Sequence, residues 1–219
     1  MKTRFRRLMH YIPLISNSTK LAISSTILFF AFILFVFKMD SQAKQGLVAS
    51  GICVVAMLFS FLGDLFLNYF PIHRRPTWMF YCGALTFMLA HLAYATAYYR
   101  LIVEGNKTFL NPGVILASIS IFLLLGMTIL FAIQNKVSIK PLTTIVFSLY
   151  TVVIGINFVT IASHSWNFAS ISFIGAISFL ISDYIIGIET LFKVRSRILR
   201  KLVWIFYPIG QILIIACCH

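Results

Sequence analysis

The chain has 219 residues, of which 60% are hydrophobic and only 11% are charged. A soluble domain carries about 25% charged residues and short apolar stretches, so this composition excludes a soluble globular protein. The net charge of +13 does not indicate nucleic-acid binding, because most Lys and Arg residues lie in short loops that flank apolar runs. Such loops set membrane topology and contact anionic lipid headgroups.

Seven apolar runs are each long enough to cross a hydrocarbon core of ~30 Å as a helix. We predict spans at about 21–37, 46–69, 77–103, 110–133, 141–163, 168–192 and 199–218. Polar or basic turns separate them, such as the one between Pro71 and Pro76. The strand alternation of a membrane barrel is absent. The predicted fold is therefore all-α, a polytopic transmembrane helix bundle of about seven spans, formed as one domain over 1–219.

The first apolar run has a second interpretation, as a secretory signal peptide. A basic segment precedes it, and "SQA" at Ser41–Ala43 resembles a cleavage site. The run is long for a signal and begins late in the chain. We therefore expect it to remain as a membrane span.

The basic residues are divided unequally between the two sides of the predicted bundle. Most of the 18 Lys and Arg residues fall on the side of the N-terminal segment, together with the loops after the second, fourth and sixth spans. Cytoplasmic loops carry such an excess. We expect a cytoplasmic N-terminus and an external C-terminus, and the short loops favour a bacterial inner membrane.

Three of the five acidic residues, Asp64, Asp183 and Glu189, lie within apolar spans. A charge near the centre of a membrane helix costs at least ~2.5–3.5 kcal/mol, so such residues usually face a bundle interior or a water-filled cavity. At about 1.5 Å per residue, Asp64 and Asp183 are predicted roughly 8 and 14 Å from the cytoplasmic ends of their spans. Glu189 is nearer the edge, where it can reach water or pair with the basic loop.

Other polar side chains are predicted in the same half of the membrane, on shared helix faces at spacings of three or four residues or at the cytoplasmic mouth. They are Lys20, Asn68, His91, Tyr94, Tyr207 and Gln211. Together with the two aspartates they predict a polar cavity that faces the cytoplasm. Desolvation favours the protonated form of a carboxyl, which is the form that general acid catalysis requires.

Two other classes of protein would also use buried acids. A lipid-binding or scaffolding protein could use them only for contacts between helices. A proton-coupled membrane transporter could use Asp64, Asp183 and His91 as a proton relay. The lack of convincing inverted repeats and of paired broken helices disfavours the transporter.

Sites of several other kinds are disfavoured by the motifs that the sequence lacks. One histidine within the spans and no HExxH make a zinc site improbable. No P-loop, dinucleotide fingerprint or GxSxG motif occurs. The four cysteines, which lack a CxxC pair, are expected to be small buried side chains.

Five segments form an ordered set of motifs. They are "STKL" (Ser18–Leu21), "SFLGDLFL" (Ser60–Leu67), "GALTFMLAHLAYATAYY" (Gly83–Tyr99), "GAISFLISDYIIG" (Gly175–Gly187) and "FYPIGQILI" (Phe206–Ile214). In this order and spacing the chain resembles the YhhN-type lysoplasmalogenase family of integral membrane proteins over about residues 18–214. The pattern of that family has Lys-Pro-Leu, Gly-Asp, His-x-x-Tyr, Ser-Asp and a late Tyr-x-x-x-Gln.

The resemblance implies hydrolysis of the vinyl-ether bond of lysoplasmalogens, which gives a fatty aldehyde and a glycerophospho-ethanolamine or -choline. It implies no metal and no organic cofactor, and its partners are the lysophospholipid substrate and membrane lipid. The motifs place the two catalytic aspartates of the family at Asp64 and Asp183. The matching substrate-binding positions are Lys20, His91, Tyr94, Tyr207 and Gln211, to which the cavity argument adds Asn68.

This chemistry suits a pair of carboxyl groups. One carboxylic acid protonates the β-carbon of the vinyl ether, and a second, ionised carboxylate stabilises the resulting cation and activates water. The sequence leaves open which aspartate is the acid. Lys20 is expected to hold the headgroup phosphate as a point charge.

The sequence departs from the family pattern in two places. Leu21 stands where the family has proline. The family is usually drawn with eight spans, whereas the segment "RRLMHYIPLISNS" around the start of the first run is too short and polar to cross. We therefore expect seven spans, without the first helix of the family.

Overall fold

The computed structural model describes residues 16–41, 46–68, 77–134, 141–165, 170–192 and 196–218. Within these residues the chain forms seven α-helices and no strand. They are α1 (Asn17–Asp40), α2 (Leu47–Asn68), α3 (Thr77–Glu104), α4 (Pro112–Gln134), α5 (Pro141–His164), α6 (Ile171–Leu191) and α7 (Arg197–Cys218). The predicted all-α bundle is confirmed, and each helix overlaps one predicted span. The expectation about the segment before α1 concerns residues that mostly lie outside the described part.

The helices begin and end where the local sequence favours it. Ser16 caps α1, since its side chain accepts a hydrogen bond from the Thr19 N–H, and Ser170 caps α6 in the same way. Proline occupies the first position of α4 and of α5, where its missing N–H leaves no hydrogen bond unmade. Gly46, directly before α2, has a φ of 77°, a conformation that side-chain-bearing residues rarely adopt.

Each helix packs against the next helix in sequence, except that α3 packs mainly on α5 instead of α4. Helix α3 contacts α2, α5 and α7, while α1 contacts α2 and α7, and α6 contacts α5 and α7. These contacts form a ring of six helices, α1–α2–α3–α5–α6–α7. Helix α4 packs chiefly against the outside of this ring, on α5.

The contact between α6 and α7 is close because glycines meet there. A Cβ atom on Gly210 would lie 2.8 Å from the Phe179 backbone nitrogen and 3.0 Å from the Gly175 oxygen. A Cβ on Gly175 would lie 3.1 Å from the Gly210 oxygen. Small residues allow helices in membranes to approach at this distance, and here they bring Asp183 on α6 close to Tyr207 on α7.

Large apolar side chains cover much of the outer surface, as in a protein whose solvent is lipid. Phe29, Phe37 and Phe122 are 64%, 70% and 74% exposed. Six of the seven described helices are long and apolar enough to cross a membrane, and α4 has a shorter apolar part, Pro112–Gly126. The chain is therefore an integral, multi-pass membrane protein. Helices α1, α3, α5 and α7 begin at one end of the bundle, which we call the basic end because Lys20, Arg197, Arg200 and Lys201 lie there.

Candidate active site

A cavity enters the helix ring from the basic end and contains both predicted catalytic aspartates. Residues from α1, α2, α3, α5, α6 and α7 line it, and the space that they surround, including its open mouth, is about 1010 Å³. Asp64 and Asp183 are 3% and 6% exposed. The sequence prediction that the two carboxyl groups face one cavity therefore agrees with the geometry.

Hydroxyl groups from two other helices hold the Asp64 carboxyl. Its Oδ2 accepts hydrogen bonds from the Ser24 hydroxyl of α1 at 2.5 Å and from the Tyr207 hydroxyl of α7 at 2.7 Å. The Asn68 amide, one turn further along α2, donates to the Asp64 backbone oxygen at 3.0 Å and lies 3.5 Å from Oδ1. Asp64 thus joins three helices at one point.

Gln211 extends this network along α7. Its Nε2 donates to the Tyr207 hydroxyl at 2.9 Å, so the hydroxyl proton of Tyr207 is directed to Asp64. Gln211 is fully buried. It acts on the cavity through Tyr207 and is not among the lining residues.

Asp183 has a different partner, an imidazole. Its Oδ2 lies 3.0 Å from Nε2 of His91 on α3, and Nδ1 of the same ring lies 2.9 Å from the Asn157 amide nitrogen on α5. Because an amide nitrogen only donates, Nδ1 is the acceptor and Nε2 carries the proton. The histidine therefore donates to Asp183, and Asn157 fixes that tautomer.

Aromatic rings fix the orientation of the imidazole. The Phe179 ring stands edge-on to His91 with the centroids 4.8 Å apart, and Tyr150 stands edge-on at 5.9 Å. His91 is 1% exposed. The ring cannot turn away from Asp183 without moving these neighbours.

The mouth of the cavity carries cations. Lys20 and Arg200 both line it, and the Lys20 ammonium lies 5.1 Å from the centroid of the Trp204 ring. The Nε of Arg200 has no hydrogen-bond partner among the residues that the structure describes. Glu189 is also at the mouth and accepts, at 3.4 Å, from the Ser196 N–H. Lysine and arginine side chains commonly bind phosphate groups, so this mouth could hold one.

The predicted substrate-binding residue Tyr94 lies elsewhere, and so does Tyr98, one turn further along α3. Tyr94 is fully buried, and its hydroxyl donates to the Met57 sulfur at 3.6 Å. Tyr98 donates to the Ile214 backbone oxygen at 2.8 Å. Neither residue lines the cavity, so the predicted role of Tyr94 in substrate binding stays a prediction without support from its position.

Four residues of the site were not predicted from the sequence. They are Ser24, Tyr150, Asn157 and Arg200. Ser24 and Asn157 belong to residue types that are common in membrane helices, where they hydrogen-bond across to neighbours. The sequence offered one signal for Arg200, its place one turn inside a helix that begins in a basic loop.

The fold defines a polytopic membrane protein, a helix bundle in which two buried carboxyl groups face one cavity at the basic end. The chain belongs to the YhhN family, whose family model matches residues 19–218. Comparisons with curated proteins and with solved structures found no match.

Proposed function

We propose that the protein is a lysoplasmalogenase, which hydrolyses the vinyl-ether bond of a single-chain ether phospholipid. The observation that carries the proposal is the pair Asp64 and Asp183 in one cavity. The substrate has a phosphate at one end and an aliphatic chain at the other. The cavity offers cations at its mouth and mostly apolar walls, including Phe87, Phe147 and Val203.

Lys20 and Arg200 are the proposed phosphate ligands. Each lies three residues into its helix, about 5 Å from the basic end at the usual rise of an α-helix. Asp183 lies eight residues before the end of α6, about 12 Å deep by the same rise. The three-carbon glycerol unit of the lipid would span the interval between the bound phosphate and the Asp183 carboxyl.

Asp64 is the proposed ionised carboxylate. Asp64 accepts hydrogen bonds from the hydroxyl groups of Ser24 and Tyr207, and such bonds stabilise a carboxylate against the cost of its burial. An ionised group at this place would stabilise the cationic intermediate and take a proton from the attacking water. Electrostatic stabilisation of this kind is usually a large part of catalysis.

Asp183 is the proposed proton donor. Its Oδ2 accepts from the His91 Nε2–H, which leaves Oδ1 as the oxygen that can carry the proton. After transfer, the His91 N–H stabilises the new carboxylate. His91 is thus a positioning residue for the acid, and Asn157 holds it in the donating tautomer.

The proposed reaction returns both carboxyl groups to their starting states. Asp183 gives its proton to the β-carbon of the vinyl ether, and the ether oxygen and the adjoining carbon share the positive charge. Water adds to that carbon and Asp64 takes its proton, which gives a hemiacetal. Asp64 then protonates the glycerol oxygen as the C–O bond breaks, and Asp183 takes the hemiacetal hydroxyl proton. The products are an aldehyde and a glycerophospho-base.

The membrane location follows from the same proposal. The basic end carries the mouth, and an excess of basic residues marks the cytoplasmic side. We propose a cytoplasmic N-terminus and a substrate drawn from the cytoplasmic leaflet, in a bacterial inner membrane. The test is to replace Lys20 by cysteine and to label that cysteine from each side of the membrane. Labelling from the external side alone would overturn this orientation.

The test is aldehyde release by the purified protein. A lysoplasmalogen and its saturated ether analogue are supplied to the wild type, to Asp64→Asn and to the control Tyr98→Phe, which loses a buried hydroxyl outside the cavity. We expect release from the vinyl ether alone, its loss in Asp64→Asn, and its retention in the control. No release from a folded wild type would overturn the proposal, and gradient-dependent uptake in proteoliposomes would then identify a proton-coupled transporter.

A further inference from the structure

A second cavity lies on the lipid-facing side of the ring, between α4, α5 and α6. The space between these helices, including its open side, is about 630 Å³, and we call it the side groove. The residues that line only this groove include Leu125, Thr128, Thr151, Gly155 and Tyr184. It exists because α4 packs chiefly on α5 and leaves space beside α6.

The side groove joins the active-site cavity. Phe147, Tyr150, Asp183 and Gly187 line both. Asp183 therefore lies where the two cavities meet. Gly187 lies opposite Phe147 at this junction, where an added Cβ would make an ordinary contact with the Phe147 ring at 3.5 Å.

The side groove extends deeper into the bundle than the mouth of the active-site cavity does. Lys20 and Arg200 are about 5 Å from the basic end, whereas Gly155, 14 residues into α5, is about 21 Å from it at the usual helix rise. The polar mouth is thus near the membrane surface and the apolar groove extends toward the middle of the bilayer. A lipid in a leaflet has its polar and apolar parts in the same order.

The side groove offers little to a polar ligand. Its two threonine hydroxyls already donate within their own helices, Thr128 to the Leu124 oxygen and Thr151 to the Phe147 oxygen, both at 2.8 Å. The Tyr184 hydroxyl lies 3.5 Å from Thr128 Oγ1. Apart from Asp183 and Tyr150 at the wall shared with the active-site cavity, the remaining walls are apolar, so the occupant that fits is a hydrocarbon.

We propose that the side groove binds the aliphatic chain of a single-chain lipid whose polar end occupies the active-site cavity. This inference rests on the proposed function, because it assumes that the cavity receives a lysophospholipid. The chain leaves the cavity at the shared wall, so the bond next to it is held beside Asp183.

The test measures binding, without turnover, of saturated 1-alkyl ether lysophospholipids with chains of 8 and 18 carbons. Affinities come from the ligand-dependent rise in melting temperature of the detergent-solubilised protein. The variant Thr151→Trp fills the groove, and the matched control Val152→Trp puts the same side chain on the neighbouring position, which is 59% exposed. If Thr151→Trp does not fold, Leu125→Trp replaces it as the variant that fills the groove, from the opposite wall.

We expect Thr151→Trp to weaken binding of the 18-carbon lipid about tenfold, through lost burial of a few methylene groups. Binding of the 8-carbon lipid should change less than twofold, and Val152→Trp should behave as the wild type. Equal weakening for both chains, no weakening for either, or the same change in Val152→Trp would overturn the proposal. These ligands lack the vinyl ether, so the outcome is independent of aldehyde release, which tests the proposed function separately.

Discussion

The two carboxyl groups lie in one cavity but have different neighbours. Hydroxyl groups of Ser24 and Tyr207 donate to Asp64. Asp183 faces the His91 imidazole, which Asn157 orients from behind. Two acids in one apolar surrounding acquire separate roles when their hydrogen-bond partners differ, and this difference is the basis for the proposed assignment of carboxylate and acid.

The largest effect is expected from Asp183→Asn, which keeps the size of the side chain and removes its proton. Aldehyde release should fall about 10²–10⁴-fold, the usual contribution of a general acid. The variant should still bind the saturated ether lysophospholipid, measured by the rise in its melting temperature. A variant that keeps more than a tenth of the wild-type rate would break the assignment of Asp183 as the acid.

A smaller effect is expected from His91→Phe, which removes the N–H donor to Asp183 and keeps an aromatic ring. Aldehyde release should fall about tenfold or more, because the Asp183 carboxylate formed by proton transfer loses a hydrogen bond worth about 1.5–3 kcal/mol. The control is His164→Phe, at the opposite end of the bundle. Release by His91→Phe that equals release by the wild type would contradict the pairing.

Two tyrosine variants test whether the hydrogen bond from Tyr207 to Asp64 contributes to catalysis. Tyr207→Phe removes a donor to Asp64 and should lower kcat about tenfold, consistent with a hydrogen bond to a charged group of about 1.5–3 kcal/mol. Tyr98→Phe removes the donor to the Ile214 oxygen, so it should cost about 1 kcal/mol of unfolding free energy and leave kcat unchanged. Equal effects of the two variants on kcat would show that Tyr207 is only structural.

The smallest effect is expected from Asn157→Leu, because Asn157 acts on Asp183 only through His91. Without the amide donor the His91 proton is shared between both ring nitrogens, and kcat should fall about threefold to fivefold, as for a weak neutral hydrogen bond. Nitrogen-15 NMR of the imidazoles reads the tautomer directly. The His164 signals serve as the internal control, and an unchanged His91 tautomer would contradict the role of Asn157.

The helices could be predicted from the sequence because each is a long apolar run. The two aspartates could be predicted because each is a charged residue type within such a run. Long apolar runs predict spans, and Asp64 and Asp183 stand out because charges are costly there. Ser24 and Asn157 could not be predicted, since small polar residues occur throughout membrane helices.

Helix periodicity gives the face of a residue and not the neighbour that it meets. For this reason Tyr94 and Tyr207 looked equivalent in the sequence, although one contacts Met57 and the other Asp64. The side groove also could not be predicted from the sequence, because it depends on the position of α4 outside the ring and not on a motif.

Infrared spectroscopy of the purified protein at neutral pH tests the central claim most directly, because a protonated carboxyl has a C=O stretch that a carboxylate lacks. The account predicts that this band is present in the wild type, remains in Asp64→Asn and is absent in Asp183→Asn, with Glu189→Gln as the control for the third acid within the spans. A band that disappears in Asp64→Asn and remains in Asp183→Asn would contradict the account and reverse the two roles.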